Sequence, residues 1–241
     1  MAAAASLALA AHADPVPLKG GIEFQGADIR ALQADAFANP GTLWVERGAA
    51  LWKEKCAGCH GGDGASMKGV AARYPHYVRE LGHVVDLEGR INACVVDHVR
   101  GSAFAYESQD LLALTAFVAH QSHGMPIVAD RSAEARAVLE RGRTLYFERQ
   151  GQLNLACTNC HDASWGKTLL SEKISQGHPA DWPAYRHEWQ SLGSLERRLR
   201  ACYYGVRAEM PAFGSPDLVA LELYLAHRAG ALVTQPPGVR R

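Results

Sequence analysis

The sequence has no surplus of either charge, since 25 Lys and Arg residues balance 25 Asp and Glu residues. It contains no block of basic residues, and none of its apolar runs continues for the length needed to span a bilayer. The usual signals of a nucleic-acid partner and of a membrane span are therefore missing, which predicts a soluble protein. The 241 residues are enough for one large domain or two small ones.

Cysteine is scarce, but four of the six cysteines fall in two copies of the motif Cys-x-x-Cys-His, at residues 56–60 and 157–161. Neither copy has a second Cys-x-x-Cys nearby to complete a zinc site. Two thiols at this spacing can each bond one vinyl group of a haem, and the adjacent histidine is then the proximal iron ligand. We therefore predict two covalently attached haem c groups, anchored by Cys56, Cys59, Cys157 and Cys160 and ligated by His60 and His161.

The first 13 residues are almost purely small and apolar, and Ala11-His12-Ala13 has the small-x-small form of a signal peptidase site. The usual basic leader is missing, so residues 1–13 are predicted to be a shortened secretory signal, with an alanine-rich disordered terminus as the alternative. Covalent haem attachment is completed outside the cytoplasmic membrane. Both observations favour export and, in a bacterium, the periplasm.

An internal repeat accompanies the two motifs. Residues 87–94 align with residues 195–202, sharing Leu, Glu, Arg, an aliphatic residue, Ala and Cys at one register. An apolar run with helical spacing follows in each copy, over residues 110–119 and 217–226. The order of helix, haem motif, loops, ligand and terminal helix is that of a small cytochrome c domain.

The repeat predicts a mainly α fold of two tandem cytochrome c-like domains. Two haems suit two small domains, because each haem supplies much of a small core. The predicted divisions are an irregular N-terminal extension over residues 14–40, a first domain over residues 41–130, and a second, catalytic domain over residues 136–241. The polar stretch between the two domains is the predicted linker.

The two remaining cysteines, Cys94 and Cys202, could pair as a disulfide in an oxidising compartment, but the repeat places one in each domain. Each haem needs a sixth ligand, and only cysteine is offered at matching positions in both halves. We therefore assign His60 with Cys94 to the first iron and His161 with Cys202 to the second. An anionic thiolate stabilises ferric iron and lowers its reduction potential.

Three other side chains compete for the irons. Met210 lies just before the second terminal helix, but its repeat equivalent is Ala103. Met125 falls after the first terminal helix, where loop packing is expected, and His98 has Val206 as its counterpart. A further alternative is that both cysteines are buried free thiols acting as small hydrophobes, which leaves their matching contexts unexplained.

The second of these cysteines has an arginine-rich setting. Arg198 lies four residues before Cys202, on the same helix face, whereas Arg200 is turned away. A guanidinium near a sulfur nucleophile stabilises the thiolate and can bind an oxyanion through paired N–H donors, and both effects are expected in a sulfur-transfer site. The alternatives are haem propionate partners or solvated charges. Arg90 has the same relation to Cys94, so the arginine alone does not distinguish the two sites.

The sequence at this point resembles the SoxA family, the dihaem subunits of the SoxAX cytochromes of bacterial thiosulfate oxidation. The resemblance covers nearly the full length and rests on the haem motifs and on residues 90–94, 105–122, 198–202 and 215–223. It implies a periplasmic enzyme that oxidatively joins thiosulfate to a cysteine of SoxY in the carrier SoxYZ, giving a cysteine S-thiosulfonate and two electrons.

The resemblance also implies the roles of individual residues. Cys202 would be the catalytic residue and carry a persulfide, Arg198 would handle the anionic substrate, and Cys94 would be only an axial ligand. Electrons would leave through the monohaem partner SoxX.

Three other functions compete with this one. A thiosulfate dehydrogenase would couple two thiosulfates into tetrathionate, and Met210 on the second iron in place of Cys202 would favour it. A non-catalytic dihaem electron-transfer protein would have two inert irons. A dihaem peroxidase is the weakest of the three, because it needs one iron that can open for peroxide and a high-potential partner.

Overall fold

The computed structural model describes residues 16–230 and 232–241, so the predicted signal at residues 1–13 lies outside the described residues. The chain is mainly helical, as predicted. The α-helices are α1 Ala27–Ala34, α2 Thr42–Lys55, α3 Ala57–His60, α4 Leu87–Asp97, α5 Gln109–His120, α6 Arg136–Phe147, α7 Cys157–His161, α8 Leu195–Gly205 and α9 Pro216–Arg228. Within the described ranges, no helix has the length and apolar character to cross a membrane.

Short strands complete the fold: β1 His76–Val78, β2 His83–Val85, β3 Thr168–Leu169, β4 Glu172–Lys173, β5 Ala184–Arg186, β6 Ser191–Gly193 and β7 Gly238–Arg240. The pairs β1–β2 and β3–β4 are antiparallel hairpins. In the third sheet, β5 pairs antiparallel with β6 and parallel with β7, so that Tyr185 lies between Leu192 and Val239. The last residues of the chain are thereby joined to β5, the first strand of the β5–β6 hairpin that precedes α8.

Each half of the chain is built on one pair of packed helices, α2 with α5 and α6 with α9. The predicted helices over residues 110–119 and 217–226 are confirmed, and α5 and α9 exceed them by one or two residues at each end. Ser108 and Ser215 begin these helices as N-caps, accepting hydrogen bonds from the backbone N–H groups of Leu111 and Leu218. Both helices bury most of their residues, because they lie at the centre of the two halves.

A glycine lets the two helices of each pair approach closely. A Cβ on Gly48 would overlap the carbonyl oxygen of Ala113, and a Cβ on Gly142 would overlap that of Ala220. The cores that surround these crossings contain Trp52, Leu114, Phe117 and Val118 in the first half and Leu145, Tyr146, Leu218 and Leu221 in the second. The same close crossing therefore occurs in both halves.

Replacing Gly142 by alanine is expected to lower the free energy of unfolding by about 1–3 kcal/mol, because the added methyl group must push α6 away from α9. Urea unfolding of the haem-loaded protein measures this change. Gly205→Ala is the matched control, since a Cβ there meets no atom within 4 Å. Equal stability of the two variants would show that the α6–α9 crossing can relax without cost.

The N-terminal extension packs against the second half of the chain. The Lys19 N–H donates to Oε1 of Gln176 over 2.8 Å, and Oε1 of Gln33 accepts from the Val239 N–H over 2.9 Å. Where the sequence predicted an irregular extension, the structure has a 3₁₀ turn at Gly21–Phe24 and the helix α1. The extension therefore ties the segment around Gln176 to the C-terminal strand.

Candidate functional site

A tyrosine of α6 and an arginine of α9 hold the second haem motif, on α7, in place. Tyr146 of α6 donates its hydroxyl to Oδ1 of Asp162 over 2.8 Å, and Arg228 of α9 forms an ion pair with the same carboxylate. The Arg228 guanidinium also lies 4.3 Å from the centre of the Tyr146 ring. The residue that follows His161 is thus fixed to the core of its own half.

The ring of His161 has a defined orientation. Its Nδ1 lies 2.8 Å from the carbonyl oxygen of Ser175, and because a carbonyl can only accept, Nδ1 carries the proton. Gly177 packs against the ring, and a Cβ there would come within 3.0 Å of the ring carbon Cγ. This hydrogen bond leaves Nε2 as the lone-pair nitrogen, which is the arrangement of a metal-ligating histidine.

Cys202 lies on α8 within hydrogen-bond reach of the His161 ring, with Arg198 one turn before it on the same helix. Burial by itself raises the pKa of the Cys202 thiol. The positive charge of Arg198 and the interaction with His161, together with Arg186, outweigh burial and lower that pKa to about 7. The fold therefore favours ionisation of the Cys202 thiol to a thiolate.

Arg186 is the residue of this site that sequence reasoning missed. It lies on β5, is 5% exposed, and donates from Nη2 to Glu172 over 3.1 Å and to Glu188 over 2.8 Å. Its guanidinium lies 5.1 Å from the ring centre of Trp189. The two residues are 16 positions apart in the chain, a separation that carries no signal, and it is the folded structure that brings the charge of Arg186 close enough to act on Cys202.

The first haem motif has a looser setting. His60 is exposed, and its ring centre lies 5.7 Å from that of Trp52, whose Nε1 donates to the carbonyl oxygen of Gly61 over 2.8 Å. Cys94 on α4 lies near the motif thiols, since burial together with Cys94 raises the pKa of Cys56 to about 11.

The two candidate axial thiols differ in their electrostatic environment. Burial raises the pKa of Cys94, and the charge of Arg90 does not offset it. Cys202 has a lowered pKa, because a histidine and a second arginine add to the effect of Arg198. The structure therefore separates two sites that the repeated arginine left equivalent in the sequence.

The three side chains that compete with the cysteines as iron ligands lie in surroundings different from that of Cys202. Met210 is 43% exposed and lines an open depression with Arg207 and Asp217. Met125 packs against Gly69, and His98 is exposed at the C-terminal end of α4. Cys202, by contrast, interacts directly with the ring of the motif histidine His161.

Arg200 points away from Cys202, as predicted, and donates to the carbonyl oxygen of Pro211, with its guanidinium 4.3 Å from the ring centre of Phe213. Cys94 and Cys202 are both free thiols on different helices, so the disulfide alternative is wrong.

The donor set fits a covalently attached haem. In each half, two free motif thiols precede an imidazole, and a third free thiol lies close to them. In the second half, burial together with Cys202 raises the pKa of Cys157 to about 12, so this thiol stays protonated until it reacts. The imidazole of His161 lies within hydrogen-bond reach of the Cys202 sulfur, so these two side chains would be able to hold one iron between them.

Comparison with known proteins agrees with this donor set. Residues 43–127 match the family model described as SoxA/TsdA, cytochrome c domain. The chain is 38% identical over 226 residues to the L-cysteine S-thiosulfotransferase subunit SoxA of Pseudaminobacter salicylatoxidans, covering 90% of this chain and 79% of the relative. It is 35% identical over 230 residues to the subunit of the same name from Rhodovulum sulfidophilum, covering 92% of this chain and 80% of that relative.

A solved structure is similar over almost the whole chain. The crystal structure of SoxXA from P. pantotrophus superposes with a TM-score of 0.89 at 31% sequence identity, covering 93% of this chain and 87% of that chain. Likeness at this level extends to both halves and to the helices that hold the two motifs.

Proposed function

This chain belongs to the SoxA family, and from that membership we propose that it is the dihaem thiosulfate-conjugating subunit of an L-cysteine S-thiosulfotransferase. Its reaction joins thiosulfate to a cysteine in bacterial sulfur oxidation. For this particular chain, the proposal rests on the interaction of Cys202 with His161 and on the two arginines, Arg198 and Arg186, whose charges lower the pKa of Cys202. A passive electron carrier has no need of an activated thiol at its iron.

The haem of this family's cytochrome c domain is covalently attached haem c. We propose that the chain holds two of them, because both motifs are complete. Cys56 and Cys59 anchor the first haem, and Cys157 and Cys160 anchor the second. His60 with Cys94 would ligate the first iron, and His161 with Cys202 would ligate the second.

Within the second site, the chain's own residues bind and orient the substrate. Arg198 offers paired N–H donors to the sulfonate oxygens of thiosulfate and balances its charge. Arg186 keeps Glu172 and Glu188 neutralised, so that these carboxylates do not repel the anion. The Ser175 carbonyl holds the His161 ring in place while Cys202 reacts.

The sulfur chemistry is a two-step transfer. The Cys202 sulfur forms a bond to the outer sulfur of thiosulfate with loss of two electrons, which would leave one at a time through the haem irons, each a one-electron acceptor, to SoxX. The thiolate of the carrier cysteine then attacks that outer sulfur, and Cys202 leaves as a thiolate. The net products are a cysteine S-thiosulfonate, one proton from the carrier thiol, and two electrons.

Partners and compartment follow from the same proposal. The related crystal structure contains SoxX with SoxA, so we assign SoxX as the electron-accepting subunit. SoxY of the carrier SoxYZ supplies the acceptor cysteine. Covalent haem attachment is completed outside the cytoplasmic membrane, which supports the periplasm as the compartment.

Reconstitution with SoxX and SoxYZ tests the function. We expect thiosulfate to add one thiosulfonate group to the SoxY cysteine, detected by intact-mass spectrometry, while the same measurement on this chain shows two haem groups. Tetrathionate formation without change of the carrier mass would instead identify a thiosulfate dehydrogenase. If neither thiosulfate nor the carrier SoxYZ reduced the haems, the chain would be a non-catalytic electron-transfer protein.

A further inference from the structure

Five carboxylates meet in the interior where the two halves of the chain join, and we call them the carboxylate cluster. Its members come from both halves: Asp86, Glu88, Glu107, Glu196 and Glu222. Asp86 and Glu196 are each 1% exposed, and Glu88 and Glu222 are each 8% exposed. Ionised carboxylates are costly at this burial, so a cluster of them calls for a physical explanation.

The hydrogen bonds of the cluster leave part of it unsatisfied. Oδ1 of Asp86 accepts from the Gly89 N–H over 2.7 Å, and Oε2 of Glu196 accepts from the Gly214 N–H over 2.8 Å. The second oxygen of each of these two carboxylates is buried without a hydrogen-bond partner in the described part of the chain. A protonated carboxyl in such a place can donate to a neighbouring carboxylate, whereas two ionised ones repel each other.

A largely apolar cavity with a few polar groups in its wall adjoins the cluster. It has a volume of about 90 Å³, and its walls include Glu88 from the first half and Glu222 from the second. Thr115, 2% exposed, also lines it, and its hydroxyl is buried without a partner among the described residues. A cavity of this size with several polar groups can hold water, which links the carboxyls to one another.

The surrounding charges leave the cluster poorly compensated. Burial raises the pKa of Asp86 to about 6 and that of Glu196 to about 8, and it raises those of Glu88 and Glu222 well above the usual range. The other groups that face the cluster from the packed elements are Tyr74, Tyr106, Arg90, Arg197 and Arg200. Of these arginines, only Arg197 contacts a cluster carboxylate, at 3.6 Å from Glu107. The cluster therefore holds shared protons near neutral pH.

The two ligand helices connect the cluster to the irons. Glu88 lies six residues before Cys94 on α4, and Glu196 lies six residues before Cys202 on α8. Six residues of α-helix rise about 9 Å. A change of charge at an iron held by Cys94 or Cys202 would therefore act on the cluster through the protein interior, where charges interact more strongly than in water.

We propose that the carboxylate cluster takes up a proton when a haem of this chain is reduced, so that electron arrival and proton uptake are coupled at the junction of the two halves. The electron adds one negative charge at iron, and the incoming proton, drawn from solvent through the cavity water, forms an O–H bond on a cluster carboxylate. No other bond changes. The inference rests on the proposed ligation of both haems by α4 and α8, but not on the sulfur chemistry.

Potentiometric titration of the haem-loaded protein without thiosulfate tests the coupling. Reduction with proton uptake is favoured at low pH, so the midpoint potential is expected to fall as the pH rises between about 6 and 8. The slope approaches, without exceeding, about 59 mV per pH unit, the limit for one proton per electron. Potentials that do not change between pH 5 and 9 would overturn the proposal.

The double variant Glu196→Gln with Glu222→Gln is expected to flatten the slope by at least half, because the amides keep the shape and cannot titrate. Glu134→Gln, an exposed residue before α6, is the matched control and keeps the slope. A slope that survives unchanged in the double variant would place the coupling elsewhere and overturn the assignment to the cluster.

A measurement on the unmodified protein covers the case in which the double variant does not fold. The reduced-minus-oxidised infrared difference spectrum is expected to contain a carboxylic C=O band that shifts in D₂O. A spectrum without that band would overturn the proposal. Because thiosulfate is absent from these experiments, conjugation activity can persist or fail independently of their outcome.

Discussion

Replacing Cys202 by alanine is expected to abolish thiosulfate conjugation, by about 10³-fold or more, while both haem groups stay attached. The proposed covalent anchors are the motif cysteines on α3 and α7 and their flanks, so loss of a thiol on α8 is not expected to release haem. What disappears is the sulfur that meets the substrate, and removal of a nucleophile costs several orders of magnitude in rate. Turnover by the reconstituted complex and intact mass of the chain measure the two effects separately.

Cys94→Ala is the matched control, because Cys94 occupies the equivalent place on α4 but has a raised pKa and no second arginine. We expect this variant to keep conjugation activity within about tenfold while the spectrum of the first haem changes. Turnover retained by Cys202→Ala, or lost equally in both variants, would remove Cys202 from its special role.

Replacing Arg198 by alanine is expected to raise the thiosulfate concentration required for turnover by about 10- to 150-fold, the equivalent of the about 1.5–3 kcal/mol of a hydrogen bond to a charged group. Arg198 also lowers the pKa of Cys202, so the variant thiol is less ionised as well. Steady-state kinetics with thiosulfate as the varied substrate measure the change. Arg198→Lys is expected to recover only part of the loss, because an ammonium group lacks the paired donor geometry.

Arg90→Ala provides the corresponding control in the first half. It removes a guanidinium one turn before Cys94 and is expected to leave the dependence on thiosulfate concentration unchanged. An unchanged dependence in Arg198→Ala as well would make Arg198 a structural residue.

Much of the scaffold could be predicted because its signals are local. The apolar spacing over residues 110–119 and 217–226 specifies a helix face within a few turns, and α5 and α9 follow it. The extension could not be predicted in the same way. The helix α1 has only eight residues and buries only Ile29, and it is held by contacts such as that between Gln33 and Val239, which are far apart in the chain.

The functional site likewise has a part that local sequence predicted and a part that depends on contacts between distant segments. Cys-x-x-Cys-His is a covalent attachment motif, so its five residues predicted the haem and its proximal ligand without reference to the rest of the molecule. The Ser175 carbonyl that orients His161 and the Arg186 that acts on Cys202 reach the site from separate segments. Neither has a spacing that a linear pattern could detect.

The sequence by itself determined that the chain binds haem covalently, that each half contains one further cysteine, and that an apolar helix follows that cysteine in each half. These features depend on residues that are close together in the chain. Only the tertiary structure decided that the pKa of Cys202 is lowered while that of Cys94 is raised, and that five carboxylates share one interior. Charge interactions depend on distance through space and on exclusion of water. Both quantities arise only when segments far apart in the chain have packed together.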